Sequence, residues 1–204
     1  MEWFAERRLV VDRSTVYRSV QRFLPRFGQA ARAHRCPVGA NWRVDETYCR
    51  LNGKWTSIYS AIDQAGQVVD AYFSERRNAR AAQRFFERTI DETGVRPERV
   101  TTDKAQGYPP ALHPVLPGVA HHRSRYLTNG VERDHGHLKQ RLRPLRGFKR
   151  AFSADTLARG HGLIQNLRNG FSRLTQAVPR QLRLMTAWPL LARAIEPPRS
   201  VCPV

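Results

Sequence analysis

A chain of 204 residues is long enough for one globular domain with a buried core and a small appendage at either end. Its 35 Lys and Arg against 17 Asp and Glu give a formal charge of +18, a positive field that favours a polyanion and makes nucleic acid the first partner to consider. Cys36, Cys49 and Cys202 are widely spaced and form no C-x-x-C pair, which argues against a disulfide framework or a thiolate zinc site, and no apolar run approaches the roughly 18 residues that span a bilayer. These features fit a reducing cytoplasm and a protein that works where DNA is, with no membrane partner. Only Lys54, Lys104, Lys139 and Lys149 are lysines; the other 31 cations are Arg, a bias that bidentate phosphate contacts and a GC-rich coding sequence explain equally well. Codon bias does not explain the excess charge itself.

The first element in chain order is a short amphipathic helix over Val11 to Phe23, with Asp12 as N-cap and Val16, Val20 and Phe23 on one stripe. Its other face offers Arg18, Gln21 and Arg22. With a second helix expected over Trp3 to Leu9, residues 1–24 read as the truncated end of a helix-turn-helix, the alternative being a solvated basic helix packed on the next domain. Pro25 to Asn41 carries Gly28, Pro37 and Gly39 and reads as a linker. From Trp42, three runs rich in Val, Ile, Tyr and Thr (Trp42 to Leu51, Lys54 to Asp63, Val68 to Phe73) are separated by the turn signals Asn52-Gly53 and Gln64-Ala65-Gly66, so three antiparallel strands are expected. A helix over Asn78 to Thr93 stops at Gly94, and short strands follow at Val100 to Thr102 and Val119 to Arg123, joined by a Pro-rich connection. A helix from Thr128 or Asn129 to Arg143 ends before Pro144. Further helices are expected over Ala154 to Leu174 and Arg180 to Ala194, with a fraying tail. The order implies an α/β fold, a mixed sheet flanked by helices of the ribonuclease H-like kind, with residues 42–175 as the core and 176–204 as a C-terminal helix and tail.

Three acids fall where such a fold can bring them together: Asp45 in the first strand, Asp103 after the fourth, and Glu132 at the start of a helix. In-line attack on a phosphodiester uses two hard cations, and carboxylates are their natural ligands. Asp45 sits in a β-rich run where an unpaired buried carboxylate is costly, so a metal or a cation is needed beside it. Glu46 points to the other face by strand alternation. Glu132, His135 and Lys139 share one helix face. Metal ligation by His121, His122, His135 or His137 is disfavoured by their spacing. Between Arg133 and Arg150 seven Lys or Arg stand against the single acid Asp134, a run that either grips phosphate or forms a solvated face. Trp42, Trp55 and Phe85 read as core rather than as base-stacking platforms.

The blocks Val44-Asp45-Glu46-Thr47-Tyr48, Gly53-Lys54-Trp55, Thr101-Thr102-Asp103-Lys104 and Val131-Glu132-Arg133-Asp134-His135, with Gly147-Phe148-Lys149, resemble bacterial insertion-sequence transposases of the DDE type, most closely the sixth insertion-sequence family, over roughly residues 1 to 170. The aspartates lie 58 positions apart, and the 29 positions from Asp103 to Glu132 are fewer than is usual in that family. The resemblance implies that Asp45, Asp103 and Glu132 form the catalytic triad on two Mg2+ or Mn2+ ions, with Lys139 as an accompanying basic residue. It also implies end-joining between transposon termini and target double-stranded DNA by a homo-oligomer at the nucleoid. Arg18, Arg22, Lys104, Lys139, Arg141, Arg143, Lys149 and Arg150 are the expected DNA contacts. Two alternatives stay open: a truncated remnant that binds DNA non-specifically through a loosely held N-terminal helix, and a nuclease that uses water in place of a 3′-hydroxyl.

Overall fold

A computed structural model describes residues 11–124 and 129–195 of the chain. The elements are α1 (Arg13–Arg32), β1 (Asn41–Leu51), β2 (Lys54–Asp63), β3 (Val68–Ser74), α2 (Ala79–Thr93), β4 (Arg99–Thr102), α3 (Tyr108–Val115), β5 (Ala120–Arg123), α4 (Asn129–Leu142), α5 (Ala151–Asn169) and α6 (Arg183–Ile195), with a 3-10 turn at Arg143–Leu145. The strands form one sheet in the order β3-β2-β1-β4-β5, antiparallel between β1, β2 and β3 and parallel from β1 to β4 to β5. The mixed sheet flanked by helices is the one expected from the element order.

Local chemistry sets these boundaries. Asn52 and Gly53 both take left-handed angles, φ 48° and 78°, which close the β1–β2 hairpin in two residues. Asn78 caps α2 by accepting from the Ala81 amide, and Gly94 ends it at φ 68°. Alternation along β1 divides the core in two. Trp42 and Val44, with Tyr59 and Ala61 of β2, pack under Phe85 and Phe86 of α2 and Tyr108 and Leu112 of α3. Cys49 and Leu51, with Ile58, pack against Leu138 of α4, Phe148, and Ala154 and Ala158 of α5.

Two regions depart from the sequence reading. The Pro-rich stretch is not a bare connection: α3 places Pro109 in its first turn, where no amide is required, and drives Ala111 and Leu112 into the core. The helix that was to end at Phe23 instead runs 20 residues, through Pro25 to Arg32, so the first part of the stretch read as linker is helical. Tertiary packing overrides Pro25 there: Phe27, Ala30 and Ala31 pack with Leu163 and Leu167 of α5 and with Leu184, Ala187 and Leu191 of α6. Nor is this helix loosely held. A Cβ on Gly160 would overlap the Leu24 side chain, so the bare glycine lets α1 lie directly on α5. The Tyr17 hydroxyl donates to Ser153 Oγ at 2.8 Å, Arg32 pairs with Glu92, and Arg35 donates to the carbonyls of Val68 and Val69 on β3. The helix expected over Trp3 to Leu9 lies outside the described residues.

Candidate active site

Parallel pairing of Arg43 with Thr101 sets the register of β1 and β4, and two places further on it brings Asp103 beside Asp45. Neighbouring strands run about 4.8 Å apart, so this register, continued past the end of β4 at Thr102, sets the two residues level on neighbouring segments. Asp45 Oδ1 accepts from the Glu46 amide at 2.8 Å, and Asp103 Oδ1 accepts from the Ala105 amide at 2.9 Å. These bonds fix the first rotamer of each acid and leave the second oxygen of each for another partner. For Asp45 that partner is His135, whose Nδ1 lies 3.5 Å from Oδ2. Glu132 is exposed on the first turn of α4, three residues before His135. The register thus sets Asp103 level with Asp45, and Glu132 stands about one turn before His135 on the helix that reaches Asp45. Among the described residues no three of His, Cys, Asp and Glu approach closely enough to enclose a metal ion. The paired aspartates still suit a hard cation. In a chain of charge +18, no Lys or Arg among the described residues forms an ion pair with Asp45, Asp103 or Glu132.

Glu46 points to the opposite face, as alternation requires, where it pairs with Arg77 and accepts from the Tyr108 hydroxyl at 3.2 Å. Burial, with the charges of Glu46, Asp45 and Asp103 added, pushes the Tyr108 phenol well above its ordinary value, so it remains a donor to Glu46.

The expected DNA contacts divide into three groups. Arg18 and Arg22 of α1 and Lys149 and Arg150 line one groove of about 630 Å³, together with Tyr17, Phe148 and Phe152. Lys104, beside Asp103, Lys139, on the solvent side of α4, and Arg143 are exposed separately. Arg141 is turned inward instead. It donates to His161 Nδ1 at 2.7 Å and to the His137 carbonyl, so its reading as a phosphate contact gives way to a role in holding α4 on α5.

Sequence reasoning missed the partners of these residues. His161 Nε2 lies 2.9 Å from Asp134 Oδ1, which ties α4 to α5 two residues past Glu132. The contact of His135 with Asp45 was signalled only by the three-residue step from Glu132, a spacing equally common in solvated helices. Trp55, read as core, is 65% exposed.

Comparison with known proteins supplies the family. Residues 39–171 match the DDE domain family. The transposase of insertion sequence-like element IS431mec from Staphylococcus aureus is 36% identical over 145 residues, covering 69% of this chain and 64% of that protein. The transposase of IS257 in transposon Tn4003, also from Staphylococcus aureus, is 36% identical over 136 residues, covering 64% and 60%. The chain thus spans less than two thirds of the length of these relatives. A chain of the simian T-cell lymphotropic virus intasome, solved in complex with PP2A regulatory subunit B56 gamma, superposes with a TM-score of 0.50 at 17% identity over 83% of this chain and 59% of that one, a likeness of fold alone. With a ribonuclease H-like sheet and a family match over residues 39–171, which span Asp45, Asp103 and Glu132, the chain belongs to the DDE domain family of insertion-sequence transposases.

Proposed function

We propose that the chain catalyses metal-dependent cleavage and joining of DNA strands at the ends of an insertion sequence. Asp45 and Asp103 would hold two Mg2+ or Mn2+ ions, with Glu132 completing the set from the first turn of α4. The observation that carries this is the β1–β4 register, which continued past Thr102 sets Asp103 level with Asp45, with no Lys or Arg ion pair to either among the described residues, in a chain where cations outnumber acids two to one. When bound, the ions would activate the attacking oxygen and stabilise the leaving one. The chain's own residues prepare that centre. The amides of Glu46 and Ala105 orient the carboxylates, and His135 limits the swing of Asp45. Lys139, on the Glu132 face of α4, and Lys104, beside Asp103, would hold phosphate oxygens. The groove between α1 and residues 145–153 supplies Arg18, Arg22, Lys149 and Arg150 to the duplex further from the cut. Work on two DNA ends calls for more than one copy acting together, at the nucleoid.

The test is a strand-joining assay: purified protein, Mg2+, a labelled duplex carrying the element's terminal repeats and a supercoiled target. Joined product is expected from the unmodified chain. Asp45→Asn and Asp103→Asn should each lower its rate by roughly 10³-fold or more, the scale of losing metal-ion stabilisation, while duplex affinity changes little. Undiminished joining by either variant would overturn the assignment. Hydrolysis without joining would identify water as the nucleophile.

A further inference from the structure

The Gly53-Lys54-Trp55 hairpin takes no part in the chemistry above, yet it carries an unusual surface. In the β1–β2 ladder Arg50 stands opposite Trp55 and Tyr48 opposite Ser57, so Tyr48, Arg50 and Trp55 share one face with Tyr48 and Trp55 as diagonal neighbours. Nearer the start of β1 that face is closed, with Trp42 and Val44 in the core. At the hairpin end it is open, Trp55 being 65% and Tyr48 41% exposed. Each ring carries one guanidinium: Arg50 lies 4.7 Å from the centre of Trp55, and Arg77 lies 5.5 Å from the centre of Tyr48. The support is stiff. The tight Asn52-Gly53 turn is strapped to the segment after α4 by bonds from the Asn52 amide to the Phe148 carbonyl at 2.8 Å and from the Phe148 amide to the Arg50 carbonyl at 2.7 Å.

The strip lies on the face of β1 opposite to Asp45. Tyr48 lies three residues past Asp45, roughly 10 Å along the strand. Because β4 ends at Thr102, level with Val44 in the register, the edge of β1 is uncovered by β4 beyond Asp45, and a ligand at the aspartates can pass over that edge to the Tyr48 face.

Cross-strand cation–π pairs of this kind steady a hairpin by a fraction of a kcal/mol to about 1 kcal/mol, which explains the pairing but not the ring surface left in water. An intact duplex offers phosphates to the arginines but no base face to the rings, since its bases are stacked on one another. An unpaired strand offers both. We propose that Tyr48, Arg50, Trp55 and Arg77 form a stacking platform for unpaired nucleotides that pass over the edge of β1 from the reacting phosphate, the rings receiving bases and Arg50 and Arg77 receiving the backbone. This rests on Asp45 and Asp103 being the reacting centre.

The test is equilibrium binding by fluorescence anisotropy at one fixed salt, without divalent metal, so that cleavage does not enter. The probes are a labelled oligothymidylate and a blunt duplex of the same length. Trp55→Leu should weaken single-strand binding by roughly 5- to 150-fold, the range for losing one base stack, and leave duplex binding within about twofold. Trp55→Phe should restore most of the loss. Equal weakening on both probes, unchanged single-strand affinity, or no binding of the single strand by the unmodified chain would each overturn the platform. If Trp55→Leu does not fold, photocrosslinking of the unmodified chain to an iodouracil-substituted single strand decides: an adduct at Trp55 or Tyr48 supports the platform, and its absence refutes it. Strand joining by Asp45→Asn is scored in a separate assay, so the platform can fail while the catalytic reading stands.

Discussion

Tyr59 and Tyr108 meet edge to face beneath the sheet, and both are shielded from water. Burial is the first cause that pushes the Tyr59 phenol up to about 12, with the charge of Glu46 adding and Arg77 opposing. In the unfolded chain these phenols ionise near their ordinary value of about 10. A group whose folded pKa is raised contributes its full stability below the unfolded value and loses it as pH climbs toward the folded one. Stability should therefore fall between pH ~10 and ~12, and Tyr59→Phe should make the fall shallower. Urea midpoints measured across that window check this; superimposable curves for the two proteins would refute the buried, protonated Tyr59. A second expectation concerns His161. Arg141 donates to Nδ1, so the proton sits on Nε2 and is given to Asp134. His161→Leu would leave the Asp134 carboxylate buried with no donor from His161, and should cost about 2 to 4 kcal/mol in urea unfolding. A loss under about 0.5 kcal/mol, the level of a surface change, would show that the network is dispensable.

Among the elements, α1 and its contact with α5 give the clearest test, because the helical glycines Gly28 and Gly160 differ in surroundings. Gly28 has open space around its absent side chain, whereas Gly160, on the facing helix, has Leu24 within it. Gly28→Ala should stabilise the protein by up to about 1 kcal/mol through helix propensity alone. Gly160→Val should destabilise it by about 1 to 3 kcal/mol and speed tryptic cleavage at Arg18 and Arg22, because α1 must lift from α5. Equal tryptic rates would mean that the contact does not hold the helix. The same element shows where the sequence was legible. Strand alternation and the Asn52-Gly53 turn marked β1 and β2 almost to the residue, and with them the facing of Asp45 and Glu46, because each depends on near neighbours only. The helical run through Pro25 was hidden, since the packing that overrides the proline comes from α5 and α6, more than a hundred residues away. Trp55 misled for a related reason: aromatic content marks a strand, and only the length of the covering helices decides whether its end is buried.

At the scale of the whole molecule, the sequence carries a charge of +18, and four of its cations line the α1 groove. Binding to unrelated duplexes should be chiefly electrostatic, with log affinity falling against log salt at a slope of about −5 or steeper if six or more phosphates are contacted. Titrations at three salt concentrations measure that slope, and a value near zero would remove the case for a phosphate-gripping surface. The bonds from Arg35 to β3 bear on how copies of this chain meet. β3 is an outer strand of the sheet, and its Val68 carbonyl receives Arg35 and the Asn166 amide, its Val68 amide gives to Asn166 Oδ1, and its Ala71 carbonyl receives Arg88. A strand dressed in this way has little left to offer a foreign strand, in the manner of natural edges protected against aggregation. Two copies on neighbouring DNA ends would therefore join through helices or through the nucleic acid between them, and crowding on one element would not zip their sheets together along this side.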